Sequence, residues 1–134
     1  MSRLHIEQLP GEYVIARLAP GARYRPPGGA FRSVIDTPDE TSIVCLSEHW
    51  PPNAVAAEAG WALLRLKGTF DLTLVGVLVA VLNPLADANI EIFALSTYNT
   101  DYLLVRSDRA DDARDVLTAN GHIVTSSDWT AAAN

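Results

Sequence analysis

Residues 90 to 108 read I-E-I-F-A-L-S-T-Y-N-T-D-Y-L-L-V-R-S-D. Two apolar runs flank the polar bridge Ser96-Thr97-Tyr98-Asn99-Thr100-Asp101, the form of adjacent strands joined by a tight turn. The same form stands earlier, from Ser33 to Glu48, as S-V-I-D-T-P-D-E-T-S-I-V-C-L-S-E. At an offset of 60, Ser33 meets Phe93, Thr37 meets Thr97, and Ile43-Val44 meet Leu103-Leu104. The spacing predicts two copies of one supersecondary unit.

Working outward from the second pair, Trp61 to Lys67 alternates as a strand and Gly68 ends it. Leu74 to Asn89 reads as a helix. Its positions Gly76, Ala80, Asn83 and Asp87 form a narrow stripe of small or polar side chains, and the remaining circumference is apolar. Such a helix is expected to be covered on most sides. Pro84 must delete one of its backbone hydrogen bonds and bend its last turns. After the pair, Ser107 or Asp108 is expected to cap a second helix, with Asp111 and Asp112 at its positive end. Ala110, Ala113, Val116 and Leu117 are its expected buried face, Asn120-Gly121 its C-cap, and His122 to Ser126 a final strand. Strand, helix, strand, strand, helix, strand is the split βαβ order.

The first copy is thinner. Leu4–Gln8 and Tyr13–Leu18 read as strands separated by the turn signal Pro10-Gly11. Gly21 to Gly29 is irregular, Phe31–Asp36 and Ser42–Leu46 form the pair, and Pro51-Pro52 breaks any helix begun at Ser47. The expected class is α+β, with two tandem ferredoxin-like βαββαβ modules, the first degenerate. They span residues 1–60 and 61–126, with Gly60 near the junction and a tail at 127–134.

Charged residues make up 19% of the chain, below the typical value of about 25%. So few charges point to surface buried in a partner, and a homo-oligomer, a dimer, is expected. The net charge is −6 and the sequence pI about 4.8. That balance, with no basic patch, argues against nucleic acid as a partner. The longest apolar run, Leu74 to Leu82, is far short of the ~20 residues that span a bilayer. The opening M-S-R-L-H-I-E-Q carries no apolar signal core, and a single cysteine, Cys45, excludes an internal disulfide framework and fits a reducing compartment. A soluble cytoplasmic protein with no membrane partner is expected.

Chemistry is sought first where a strand feeds a helix. In the second copy that loop is Gly68-Thr69-Phe70-Asp71-Leu72-Thr73, running into Leu74-Val75-Gly76. Backbone N–H groups at a helix start favour a carboxylate. Gly76 permits close approach of a ligand, and Asp71 can pair with an ammonium group. Together these suit a free α-amino acid. On the residues alone, Asp71 or Thr73 caps the helix and nothing more.

The run V-G-V-L-V-A-V-L-N-P-L-A-D-A-N-I-E-I-F-A-L-S-T-Y-N-T-D-Y-L-L-V resembles an ACT domain, a ferredoxin-like module that binds amino acids. The resemblance is to the tandem-ACT branch that includes small bacterial proteins and the cytosolic arginine sensor. F-R-S-V-I-D-T-P-D-E-T-S-I-V and G-W-A-L-L-R-L-K-G are similar to the same branch, and the likeness covers roughly Tyr13 to Val124. It implies an amino-acid ligand or a similar small molecule. The ligand-facing positions it implies are Asp71, Leu72, Thr73, Leu74, Val75 and Gly76, with Ile92, Phe93, Ala94 and Ser96 on the adjoining strand. Asp101 matches an acidic position near the bound basic amino acid. On the residues alone, Asp101 and Asn99 serve backbone donors in the turn.

No catalytic residues, cofactor or metal site are expected. His5, His49 and His122 are scattered without ligand spacing, and Glu48-His49 beside Trp50 reads as a surface turn. Cys45 reads as a small buried hydrophobe. No nucleophile elbow, P-loop or dinucleotide fingerprint occurs. The expected function is non-catalytic: a regulatory sensor of a small ligand. The alternative is an interaction module that pairs with another chain through its sheet edges and binds no ligand.

Overall fold

The computed structural model describes residues 3–67 and 76–127. Seven strands and two helices are described: β1 (His5–Leu18), β2 (Ser33–Asp36), β3 (Thr41–Leu46), β4 (Ala56–Leu66), α1 (Val77–Asp87), β5 (Ile92–Ser96), β6 (Asp101–Arg106), α2 (Ala110–Ala119) and β7 (Ile123–Ser126). They form two compact units. One, the split unit, is drawn from both ends of the chain, residues 1–10 and 62–134; the other, the continuous unit, is residues 11–61. β1 and β4 each contribute to both.

In the split unit the strands are ordered β7-β1-β4-β6-β5. A plain βαββαβ sheet would set β7 beside β4. Here the first residues of β1 stand between them, parallel to β7 with His5 opposite Ile123, while Lys67 N–H donates to His5 C=O at 2.8 Å. Alternate strand residues Leu4, Ile6, Leu64, Leu66, Leu103 and Val105 pack against Ala80, Val81 and Leu85 of α1 and Ala113 and Leu117 of α2, as period-two strands and period-3.6 helices require.

The helices are shorter and more one-sided than the sequence pattern suggests. Ala80, expected on the polar stripe, is buried, and Val79, expected under cover, is half exposed. α2 begins not on a capping Ser107 or Asp108 but after a 3₁₀ turn, Ser107–Arg109, with no side-chain cap. Both helices close in the same way. Gly121 N–H donates to Thr118 C=O at 3.0 Å and His122 N–H to Leu117 C=O at 3.1 Å, the Schellman pattern, with Gly121 at φ +91°. Asn89, at φ +59°, serves α1 likewise. Its N–H reaches Ala86 C=O at 2.9 Å, and Ile90 N–H reaches Leu85 C=O at 3.0 Å.

In the continuous unit β2 pairs with β3 and β3 with β1, both antiparallel. Val14, Ala16, Leu18, Ile43 and Cys45 are its core, flanked by Ala22, Tyr24, Val34 and Ala54. Pro10-Gly11 does not turn the chain. β1 runs through it, with Gly11 at φ +96° and so close to Leu46 that an added Cβ would lie 2.6 Å from Leu46 Cδ2.

The two hairpins match residue for residue. Ser33 pairs with Val44 and Asp36 with Thr41; Phe93 pairs with Leu104 and Ser96 with Asp101. Thr37 N–H donates to Glu40 C=O at 2.9 Å, and Thr97 N–H to Thr100 C=O at 2.8 Å. Each β3-type strand runs into a 3₁₀ turn, Ser47–His49 and Ser107–Arg109, and both serine hydroxyls are buried without a partner among the described residues. The 60-residue spacing thus corresponds to one backbone conformation used twice.

Candidate functional site

The candidate site lies in the split unit, where β4 ends, α1 begins and the β5–β6 turn closes. Gly76 precedes α1 at φ +91°, and its C=O accepts Ala80 N–H at 3.0 Å. Among the described residues a Cβ there would meet nothing within 4 Å, and the backbone angle is one that glycine adopts without strain. Asp71, Leu72, Thr73, Leu74 and Val75 lie outside the described residues.

The turn is tied down from two sides. Thr100 Oγ1 donates to Leu66 C=O at 2.7 Å, fastening it to the end of β4. Ser96 Oγ donates to Asp101 Oδ1, closing the hairpin mouth. The turn's own donor, Thr100 N–H, is served by Thr97 Oγ1 at 3.3 Å, the task the sequence assigned to Asp101 and Asn99. Asp101 is therefore held by a hydroxyl and half exposed. Ile92 and Phe93 are half-buried, while Ala94 and Ser96 are exposed. Ile92 packs against the helix-side core. Ser96 and Asp101 are brought together; Ile92 sits at the far end of β5, opposite Val105. Thr100 was not singled out from sequence, because a side-chain bond to a strand 34 residues away leaves no local signal.

The histidines separate by environment. His5 Nε2 lies 2.9 Å from Thr125 Oγ1. His122 is 3% exposed; its Nδ1 accepts Leu4 N–H at 3.1 Å, which leaves Nε2 to donate to Ala80 C=O at 3.2 Å. Among the described residues no group of three or more His, Cys, Asp or Glu stands close enough to hold a metal. In the same unit buried Glu7 accepts from Arg65 Nε at 3.1 Å and from its Nη2. Burial raises the Glu7 carboxyl, but hydrogen bonds from Arg65 and Ser127 and the charges of Arg65 and Lys67 outweigh it, and the net direction is down. In the continuous unit, burial pushes the Cys45 thiol up to about 11 and the Tyr13 hydroxyl up to about 12. Neither is a poised nucleophile.

Known proteins place this geometry. Residues 56–119, from β4 to the end of α2, match the ACT domain model. The crystal structure of protein Atu0741 from Agobacterium tumefaciens superposes with a TM-score of 0.87 at 34% identity, covering 95% of this chain and 96% of that one. The chain belongs to one family with Atu0741, and it carries an ACT domain. The Homo sapiens protein CASTOR3P is 32% identical over 87 residues, 56% of this chain and 53% of that protein. The chain thus spans about half the length of that curated relative. The aspartate kinase of Clostridium acetobutylicum, an allosteric enzyme, shares the fold at a TM-score of 0.61 and 12% identity, over 86% of this chain and 33% of that one. Among the described residues no helix is long and apolar enough to cross a membrane.

Proposed function

We propose that this ACT protein is a regulatory sensor of a free amino acid, with no catalysis of its own. The observation that carries the reading is the ACT match, whose 56–119 span contains the whole candidate site. The ligand carboxylate is received by backbone N–H groups at the head of α1, with Asp71 at its ammonium and residues 72–76 and 92–96 around it. Asp101 tunes side-chain choice. The bond from Thr100 to Leu66 supports this, because it holds the turn at the strand that feeds the loop. The matched hairpins support two tandem ACT-type modules, the first degenerate. The fold shared with an allosteric kinase is compatible with a regulatory part. A cytoplasmic homodimer is the form proposed.

The test is a thermal-shift screen of free amino acids followed by calorimetric titration. A ligand at 100 times its Kd stabilises by about 2.7 kcal/mol. Asp71→Ala should weaken binding at least about tenfold, since it strands a desolvated ammonium. Asp101→Asn should change the ranking of basic against neutral amino acids more than overall affinity. Unchanged affinity in Asp71→Ala would remove the proposed role of Asp71.

The second reading is an interaction module. It draws on β5, which stands last in the strand order and carries no charge along I-F-A-L-S, a composition that leaves a sheet edge open to pairing. Stability indifferent to every amino acid would favour it.

A further inference from the structure

The hairpin match points to a second place in the fold. Asp36-Thr37-Pro38 of the continuous unit stand, at the 60-residue offset, where Ser96-Thr97-Tyr98 stand in the split unit. Residues 19–32, without helix, occupy the connection that α1 fills in the other copy. An open hollow of about 560 Å³ lies there, lined by Gly21, Arg23, Arg25, Asp36, Thr37 and Pro38 among others. That volume is within the range of small-molecule sites, roughly 300–1,000 Å³.

Its charges are already sorted. Arg25 Nη2 donates to Asp36 Oδ2 at 3.0 Å, and Arg25 Nη1 to the carbonyls of Ala22 and Tyr24 at 3.1 and 2.9 Å. Asp36 Oδ1 accepts Thr41 Oγ1 at 2.8 Å. Both Asp36 oxygens are thus engaged and its charge is met by Arg25. Arg23 also lines the hollow and has no hydrogen-bond or ion-pair partner among the described residues. The lining carries one unmatched positive charge in a chain of net charge −6.

We infer that this hollow binds a small organic carboxylate, of the 2-oxo-acid or simple carboxylic-acid class, on Arg23. The guanidinium offers two parallel N–H donors to a carboxylate. An amino acid is disfavoured there, because Asp36, the carboxylate of the lining, already has its charge met by Arg25 and each of its oxygens hydrogen-bonded. The inference does not depend on the amino-acid reading of the split unit.

Pyruvate and alanine, alike in carbon skeleton, are the probes, read by amide chemical shifts of the whole chain. Pyruvate should saturably shift the amides of Gly21, Ala22 and Thr37, and added salt should weaken the effect because the site is open. Alanine should leave those amides in place. Arg23 is exposed, so Arg23→Gln should fold normally; it should lower pyruvate affinity at least about tenfold, as loss of a charge-assisted pair implies. Asp101→Asn should leave pyruvate binding unchanged. Failure of millimolar pyruvate to move these amides, equal response to alanine, full binding by Arg23→Gln, or loss of binding in Asp101→Asn would each overturn the inference.

Discussion

Pro84 lies inside α1 and has no N–H to give the carbonyl of Ala80, four residues earlier. That carbonyl is taken instead by His122 Nε2 at 3.2 Å, while His122 Nδ1 takes Leu4 N–H at 3.1 Å. One ring thus completes a helix defect and the start of the sheet. His122→Ala removes both partners from buried backbone groups. Each unmet group costs about 1–3 kcal/mol. His122 also borders an open hollow of about 520 Å³, which can admit water, so a loss of about 2–4 kcal/mol is expected. The mechanism has a sharper test in the double variant. Pro84→Ala restores an N–H to the Ala80 carbonyl. It should therefore stabilise the His122→Ala protein more than it stabilises the unaltered protein, by about 1 kcal/mol or more. Urea unfolding of the four proteins, compared at equal m-values, reads the cycle. Equal gains in both backgrounds, within about 0.5 kcal/mol, would refute the idea that His122 replaces the bond proline lacks.

Other consequences follow from the packing. Glu7→Gln removes the carboxylate from a largely buried guanidinium and should cost up to about 3–5 kcal/mol by chemical denaturation. Because the folded Glu7 pKa lies below its unfolded value of 4.5, its stabilisation is present above that value and lost as pH falls through the folded pKa; Glu7→Gln should flatten that acid limb. Native Cys45, with its thiol raised to about 11, should resist a disulfide reagent at pH 8 and react once the chain is unfolded, and Cys45→Ala should leave ligand binding intact. Gly11→Ala forces an L side chain to φ +96° against Leu46 and should destabilise by about 1–3 kcal/mol, read as a lower urea midpoint. Light scattering at micromolar concentration should report a dimer; a monomer would remove the proposed assembly.

The hairpins were legible because their information is local. Alternation around S-T-Y-N-T-D, and its echo in D-T-P-D-E-T, gives both strands and register within sixteen residues. The end of α2 was legible for the same reason, since Asn120-Gly121 carries its own backbone preference. Pro10-Gly11 misled because the pairing of β1 with β7 before it and β3 after it overrides a turn signal that the dipeptide alone would satisfy. Ala80 misled because a small residue reads as exposed stripe until the ring of His122 occupies its neighbourhood. The insertion of β1 between β4 and β7 left no local trace, being a contact between opposite ends of the chain. At the candidate site the β5–β6 turn was legible from its polar composition, whereas the left-handed backbone of Gly76, the Ser96–Asp101 bond and the tie from Thr100 to Leu66 were not.

That insertion has a consequence for biosynthesis. Residues 11–61 are contiguous, and their unit can gather its strands while the ribosome is still elongating. The split unit joins Leu4 to His122 across 118 positions. At roughly 5–20 residues per second, several seconds separate emergence of the two partners. During that interval the opening residues of β1 are unpaired on their β7 side, a nascent sheet edge that a chaperone or a neighbouring polysome could engage. The last strand made is therefore the one that seals the first.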